Sequence, residues 1–564
     1  MSGEAAESVA PEAHPTVAEY VVELLWDLGV RHAFGVTGRE IAAVWQALFQ
    51  SDETEHPIVT IHARHENGAG YAAVGAWHQS GCPSAMFVTT APGLTNAMTS
   101  LETARAVGAK IVLLSPLTAA CARGRLGIQD TGPRGFDSPD RYSEGRLFDL
   151  VATIASVDEL RTVTGHLSAG MARAQQGFMA HVAIATDVQN TPTEGKRGVP
   201  VHRVPAPGAT PELIDEIVRL LAAEPFAVWV GAGARHHAEA IRRLLDLTGA
   251  PAMSSPRGLG VVGKHPQFIG VTGNGGHASV FARLKAAPVA RTLVLGSGLG
   301  MATTGGRPEL IPPAGFIHVD LDSRVFAKAH PEVETLAVQA EIGAVLDGLL
   351  ARSGDLVRRE PAPRTSRLAR LTLVPDRQRP VHPAALMAAI QRVVVNETDM
   401  PVLADAASAM FWGARYLEFD EPGRWWVENR WGAMGNAAGA VIGMAVSRGG
   451  PALAIVGDAA MHMQDELNTA AQYGIRAIWV VLNDSGMGIV REGTRIWEWP
   501  RHEADFPETD FAAVAAAKGV TGVRVTSEED LDRALREAVD ATGPVLVDII
   551  VDRDVAPPIE ARGS

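Results

Sequence analysis

Two acids in this sequence stand where an open α/β sheet holds its ligands. The apolar runs Ala452-Leu453-Ala454-Ile455-Val456 and Ala477-Ile478-Trp479-Val480-Val481-Leu482 end on Gly457-Asp458 and Asn483-Asp484. In such sheets ligands bind beyond the carboxyl ends of the strands. A helix predicted over 460–474 opens at the first of these ends, and its free N–H groups favour a phosphate. Two hard oxygen ligands beside a helix N-terminus make a place for Mg²⁺ bridging a diphosphate. Either acid alone is more often a helix cap; the pair, on successive strands, argues for ligands.

Positioning such a pair requires strands buried on both faces. Nine short apolar runs have that character: AMFVTT (85–90), KIVLLSP (110–116), HVAIATD (181–187), FAVWVG (226–231), RTLVLGSG (291–298), FIHVDLD (316–322), PALAIVGD (451–458), AIWVVLND (477–484) and PVLVDIIVD (544–552). They alternate with longer segments of helical spacing, which predicts parallel sheets covered by helices. The fold class is α/β, with three doubly wound parallel-sheet domains. Proline-rich stretches at 190–211 and 353–382 read as linkers and divide the chain into 15–190, 209–352 and 381–553.

Composition narrows the function classes. Of 564 residues, 46% are hydrophobic and 20% charged, the profile of an ordinary soluble protein. A net charge of −14 excludes a bulk electrostatic pull toward nucleic acid or an anionic membrane. No apolar run approaches the roughly 18 residues of a spanning helix, and the first residues lack the apolar core of a signal peptide. Cys82 and Cys121 are too few for a disulfide framework, which fits a reducing compartment. A cytoplasmic protein is expected, with neither nucleic-acid nor membrane partners.

The middle part offers a competing reading. Val230-Gly231-Ala232-Gly233-Ala234-Arg235 is a strand followed by GxG, yet His236 stands at the third small position and Ala252-Met253-Ser254 where a ribose-binding acid would fall. It reads as a tight strand-to-helix turn.

The span from Gly457-Asp458-Ala459 to Asn483-Asp484 resembles the G-D-G…N-N signature of thiamine diphosphate enzymes, with Ala459 for the third residue and Asp484 for the final Asn. The resemblance implies thiamine diphosphate and Mg²⁺ as cofactors, with Asp458, Asp484 and the Gly486 carbonyl on the metal and Gly457, Ala460 and Met487 beside the diphosphate. Arg64-His65-Glu66 looks like the family's R-H-E motif, in which the glutamate, here Glu66, promotes the imino tautomer of the cofactor. Thr90-Ala91-Pro92-Gly93-Leu94-Thr95-Asn96 resembles the S/T-G-P-G-x-x-N turn, which places Pro92 and Asn96 at the cofactor. GFMAHVAIATDV, from Gly177 to Val188, more loosely resembles the close of the family's first domain. Trp431-Gly432-Ala433-Met434-Gly435 resembles G-x-G-x-M-G, where the Gly432 carbonyl accepts from the aminopyrimidine and Met434 props the rings. Gln129 falls where a family glutamine faces the substrate.

The overall likeness is to the acetolactate synthase group, and the turn Phe34-Gly35-Val36-Thr37-Gly38-Arg39-Glu40 is similar to one in carboxyethylarginine synthase, which adds Gly38 to the cofactor contacts. What this implies is a carboligase that decarboxylates a 2-oxo acid and adds the bound acyl anion to a carbonyl acceptor. Its alternatives are a decarboxylase releasing an aldehyde, a carboxyethylarginine synthase-like transferase, and a non-catalytic partner subunit. The first domain of one subunit faces the third of another in this family, so a homodimer or homotetramer is implied.

Two segments depart from the pattern. The G-A-R-F-D-D-R-like segment that carries FAD in acetolactate synthases meets Gly296-Ser297-Gly298-Leu299-Gly300-Met301-Ala302, without arginines or aspartates, so the resemblance does not extend to FAD. After the metal loop the family's Q-W gives way to VREGTRIWEW (490–499), in which Arg491 and Arg495 could meet a carboxylate or phosphate and Trp497 and Trp499 wall an apolar pocket, against the slightly favoured reading of an ordinary amphipathic surface segment. His62, His65 and His462 are weighed as proton shuttles, with a structural or solvated role favoured for each.

Overall fold

The computed structural model describes residues 14–131, 145–173, 177–202, 204–356, 380–463, 465–500 and 503–559. Three six-stranded sheets, each wholly parallel, carry the fold. The first contains β1 (His32–Gly35), β2 (Val59–His62), β3 (Ser84–Phe87), β4 (Lys110–Leu117), β5 (Leu150–Ile154) and β6 (Phe178–Ala185), in the order β2-β1-β3-β4-β6-β5. The second contains β7 (Phe226–Val230), β8 (Ala252–Ser254), β9 (Phe268–Val271), β10 (Arg291–Leu295), β11 (Phe316–Asp320) and β12 (Thr335–Gln339), in the order β12-β11-β10-β7-β8-β9. The third contains β13 (Val402–Ala404), β14 (Trp425–Val427), β15 (Ala452–Gly457), β16 (Ala477–Asn483), β17 (Thr521–Val525) and β18 (Val545–Ile550), in the order β14-β13-β15-β16-β18-β17. All nine apolar runs read from the sequence are strands of these sheets. No helix among the described residues is long and apolar enough to cross a membrane.

The first and third sheets repeat one topology, and their matching helices meet. Helix Glu66–Ser80 follows β2, helix Asn436–Arg448 follows β14, and the two cross almost backbone to backbone. A methyl group on Gly75 would run into the Ala440 carbonyl, and one on Gly443 into the Ala72 carbonyl. Only glycine permits that approach. The apolar cluster so formed joins Ala69, Ala72, Ala73 and Ala76 to Ala437, Ala440, Val441 and Met444, so the two domains share one core.

Two expectations change. The helix predicted over 460–474 is broken into Asp458–Met461 and Leu467–Tyr473. Glu466, between them, turns to the first domain, where its carboxylate accepts the Arg64 and His65 N–H groups at 3.1–3.3 Å. The stretch after residue 190 lies along the first domain: Val17 N–H donates to the Thr191 carbonyl at 2.9 Å, Thr193 N–H to that of Pro15 at 2.9 Å, and Val204 N–H to that of Ala172 at 3.0 Å. Of the second proline-rich stretch, residues 357–379 lie outside the described residues.

Candidate active site

Ligand crevices of doubly wound sheets open where the strand order reverses. In the third sheet that point lies between β13 and β15, and Asp458 is the first residue past β15. Asp458 is 2% exposed. Its Oδ1 accepts the Ala459 N–H at 2.7 Å and its Oδ2 the Gly486 N–H at 3.2 Å. Burial, and then the charge of Asp484, push its carboxyl up to about 7. Asp484, at the end of neighbouring β16, is itself raised by burial against the opposing pull of Arg491. Two mutually repelling carboxyls in a desolvated place suit a divalent cation, whose charge would relieve both. No group of three or more acidic, His or Cys side chains among the described residues could hold a metal, so a cation here would complete its shell with carbonyl, phosphate or water oxygens.

The Asp484–Gly488 loop is pinned to the chain beyond it. Met487 N–H donates to the Ala504 carbonyl at 2.7 Å and Phe506 N–H to that of Ser485 at 3.1 Å, a short antiparallel bridge between Gly486 and Asp505. A side chain on Gly488 would press on Asp484 Oδ2. Gly457 and Gly432 face open space, Ala459 and Met434 are half-buried, Ala460 is buried, and Met487 is exposed.

The turn carrying Gly432 and Met434 is held by two acids that sequence reasoning missed. Glu428, fully buried, accepts the N–H groups of Arg430, Trp431 and Gly432 at 2.5, 2.9 and 2.7 Å. Asp405, also fully buried, accepts those of Gly435 and Ala437, each at 3.0 Å, and burial raises it to about 7. The available signal for Asp405 was an acid ending the short run Val402-Leu403-Ala404, the pattern that flagged Asp458.

The first domain assembles a second cluster. Glu66, 7% exposed, opens helix Glu66–Ser80, and its Oε2 accepts from Asn96 Nδ2 at 3.1 Å. Asn96 lies on helix Pro92–Val107, which starts from Ala91 at φ 47°, ψ −93°. That backbone suits the glycine of the family turn better than alanine. Thr90 Oγ1 donates to Gln129 Oε1 at 2.7 Å, which brings Gln129 to the same turn, and Gly38 packs on Thr89. No hydrogen bond or ion pair among the described residues joins this cluster to Asp458 or Asp484.

Partners give several of the residues weighed from the sequence the structural role set against their functional one. Arg491 pairs with Asp484 and Asp505, and Arg495 with Glu492 at 2.6 Å, so neither is left for a substrate in this arrangement. Trp497 and Trp499 are 58% and 56% exposed and lie against each other, ring centroids 4.7 Å apart, rather than walling a pocket. His65 Nδ1 accepts the Asn67 N–H as a helix cap at 3.1 Å, His62 lies edge-on to Trp45, and His462 packs between Phe506 and Phe511. In the middle domain, a side chain on Gly231 would strike the Gly296 carbonyl, so the GxG turn serves close packing between the ends of β7 and β10.

Family models of thiamine pyrophosphate enzymes match all three domains: the N-terminal TPP binding domain at residues 15–132, the central domain at 214–349 and the C-terminal TPP binding domain at 405–549. The acetolactate synthase isozyme 1 large subunit of Escherichia coli (strain K12) is 26% identical over 558 residues, covering 96% of this chain and 94% of that protein. The acetolactate synthase large subunit of Corynebacterium glutamicum is 26% identical, covering 99% and 90%. Among solved structures, a thiamine diphosphate-dependent 4-hydroxybenzoylformate decarboxylase of Rhodococcus jostii RHA1 superposes with a TM-score of 0.81 at 20% identity, over 95% of this chain and 99% of that one. The chain belongs to the thiamine pyrophosphate enzymes, as an acetolactate synthase-like member.

Proposed function

We propose that this protein is a thiamine diphosphate- and Mg²⁺-dependent carboligase that decarboxylates a 2-oxo acid and joins the remaining acyl unit to a carbonyl acceptor. The observation that carries the reading is the pair of buried Asp458 and half-buried Asp484 at the crevice of the third sheet, in a chain matched nearly end to end by acetolactate synthase large subunits. Bound thiamine diphosphate supplies the nucleophilic carbon and the electron sink that decarboxylation of a 2-oxo acid requires.

The residues divide that work. Asp458, Asp484 and the Gly486 carbonyl would hold the cation, and Gly457, Ala459, Ala460 and Met487 would let the diphosphate approach the backbone. Glu66, with its carboxylate fixed by Asn96, would exchange a proton with the pyrimidine ring. Gly432 would accept from the exocyclic amine and Met434 would prop the bend between the rings, on a turn stiffened by Glu428 and Asp405. Pro92 and Gly38 would border the ring, and Gln129 would face the substrate. The resemblance supplies the assembly: a homodimer or homotetramer in which the Glu66 cluster of one subunit meets the Asp458 pair of another. The cytoplasm is the compartment this reading implies.

The test is to incubate protein, thiamine diphosphate and Mg²⁺ with a panel of 2-oxo acids and aldehydes, then identify products by mass. Acyloin products with CO₂ are expected. Free aldehyde as the sole organic product would make the enzyme a simple decarboxylase, and absence of CO₂ across the panel would overturn the reading.

A further inference from the structure

The residue that the family signature does not account for is Arg491. Helix Gly488–Ile496 begins just past the metal loop, and Arg491, on its first turn, folds back over that loop. Its Nη1 lies 2.8 Å from Asp484 Oδ2 and its Nη2 3.3 Å from the Asp484 carbonyl. On the other side its Nε and Nη2 reach Asp505 Oδ1 at 2.9 and 2.8 Å. Asp505 is held by the bridge to Gly486 and by Arg553, whose Nη2 is 2.7 Å away. Gly486 is what lets the guanidinium cross, because a side chain there would collide with it. The fork is therefore fixed over Asp484 by a second acid and by a glycine.

The charges explain why such a residue belongs here. Where the family signature ends in asparagine, Asp484 adds a negative charge, so Asp458 and Asp484 together would attract a divalent cation without the cofactor. A guanidinium on Asp484 returns the group to one net negative charge, too little to hold the ion well until a diphosphate adds its own. We propose that Arg491 is a positioning residue that acts as a resident counter-ion on Asp484, making retention of the divalent cation conditional on the diphosphate. This rests on the metal-site reading above.

The test titrates Mn²⁺, a hard oxygen-seeking substitute for Mg²⁺, into the full-length apo-protein with and without thiamine diphosphate, following free Mn²⁺ by electron paramagnetic resonance. For the wild type, weak Mn²⁺ binding alone and at least tenfold tighter binding with the cofactor are expected. Arg491→Gln should tighten binding of Mn²⁺ alone at least tenfold, and the same change in an Asp484→Asn background should alter it less than threefold. Arg491→Lys, which keeps a charge, should stay near the wild type; Arg491→Met replaces the glutamine variant if the latter does not fold. A merely structural role predicts the opposite sign, a loosened loop and weaker binding. Unchanged or weaker Mn²⁺ binding in the Arg491→Gln variant, or equal tightening with Asn at 484, would overturn the inference and leave the metal site standing. No Mn²⁺ binding by the wild type even with cofactor would overturn the metal site itself, and the inference with it.

Discussion

The first and third domains have the same strand order and pack through equivalent helices, yet their crevices hold opposite chemistry. The first offers one carboxylate, Glu66, next to the Asn96 donor. The third offers two carboxylates that repel, one of them raised to about 7 by burial and by its neighbour. In the proposed function one topology thus supplies positions, and the side chains at the strand ends would decide whether a position exchanges a proton or holds a cation. The middle domain makes the same point by contrast: its reversal point between β10 and β7 is closed by loop packing at Gly231 and Gly296.

The sharpest way to break this contrast is to disable each half in turn. Asp458→Ala should abolish Mg²⁺-dependent thiamine diphosphate binding by calorimetry, and activity with it. Glu66→Gln should bind within about threefold of the wild type and lose about 100-fold or more in turnover, the scale of general acid–base catalysis. If both variants fail in binding alone, or in turnover alone, the division of labour is wrong.

The shared packing is open to a different attack. Gly443→Val drives a side chain into the Ala72 carbonyl and should cost about 3 kcal/mol in urea unfolding, at the upper end of overpacking penalties. A loss below 1 kcal/mol would mean that the two helices do not need their close crossing.

Acidity separates the halves further. Asp458 must be ionised to hold a cation, and its carboxyl is raised to about 7, so metal binding is weakened below that pH and strengthens as pH rises. Mg²⁺-dependent binding should tighten about tenfold from pH 6 to 8, with proton release measurable from buffer-dependent heats.

The smallest effect concerns the first domain's turn. Ala91→Gly relieves a left-handed φ of 47° and should stabilise the protein by about 1 kcal/mol in thermal unfolding. Destabilisation instead would show that the alanine methyl packs usefully.

The runs that were legible in the sequence are those buried on both faces, such as β4, β6, β15 and β16. The strands that escaped are short, like Val402–Ala404, or lie on edges where burial is partial, like Thr335–Gln339 and Thr521–Val525. Asp458 and Asp484 were readable because each ends a long apolar run. Glu66 was readable only from its motif, since a lone acid at a helix start carries no signal. Glu428 and Glu466 were not readable, because their partners are backbone N–H groups set by chain trajectory rather than residue type, and the signal at Asp405 was faint because the run it ends is only Val402–Ala404. The broken helix after Asp458 escaped for the same reason: what interrupts it is Glu466 reaching another domain.

In the proposed function the Asp458–Asp484 pair would hold a cation and, through it, the cofactor. The most direct test of that role is a calorimetric titration of thiamine diphosphate into the apo-protein, once with Mg²⁺ and once with a chelator. Saturable binding at one site per chain with Mg²⁺, and its loss in the chelator, are expected. Equal affinity in both conditions, or no binding in either, would contradict that role.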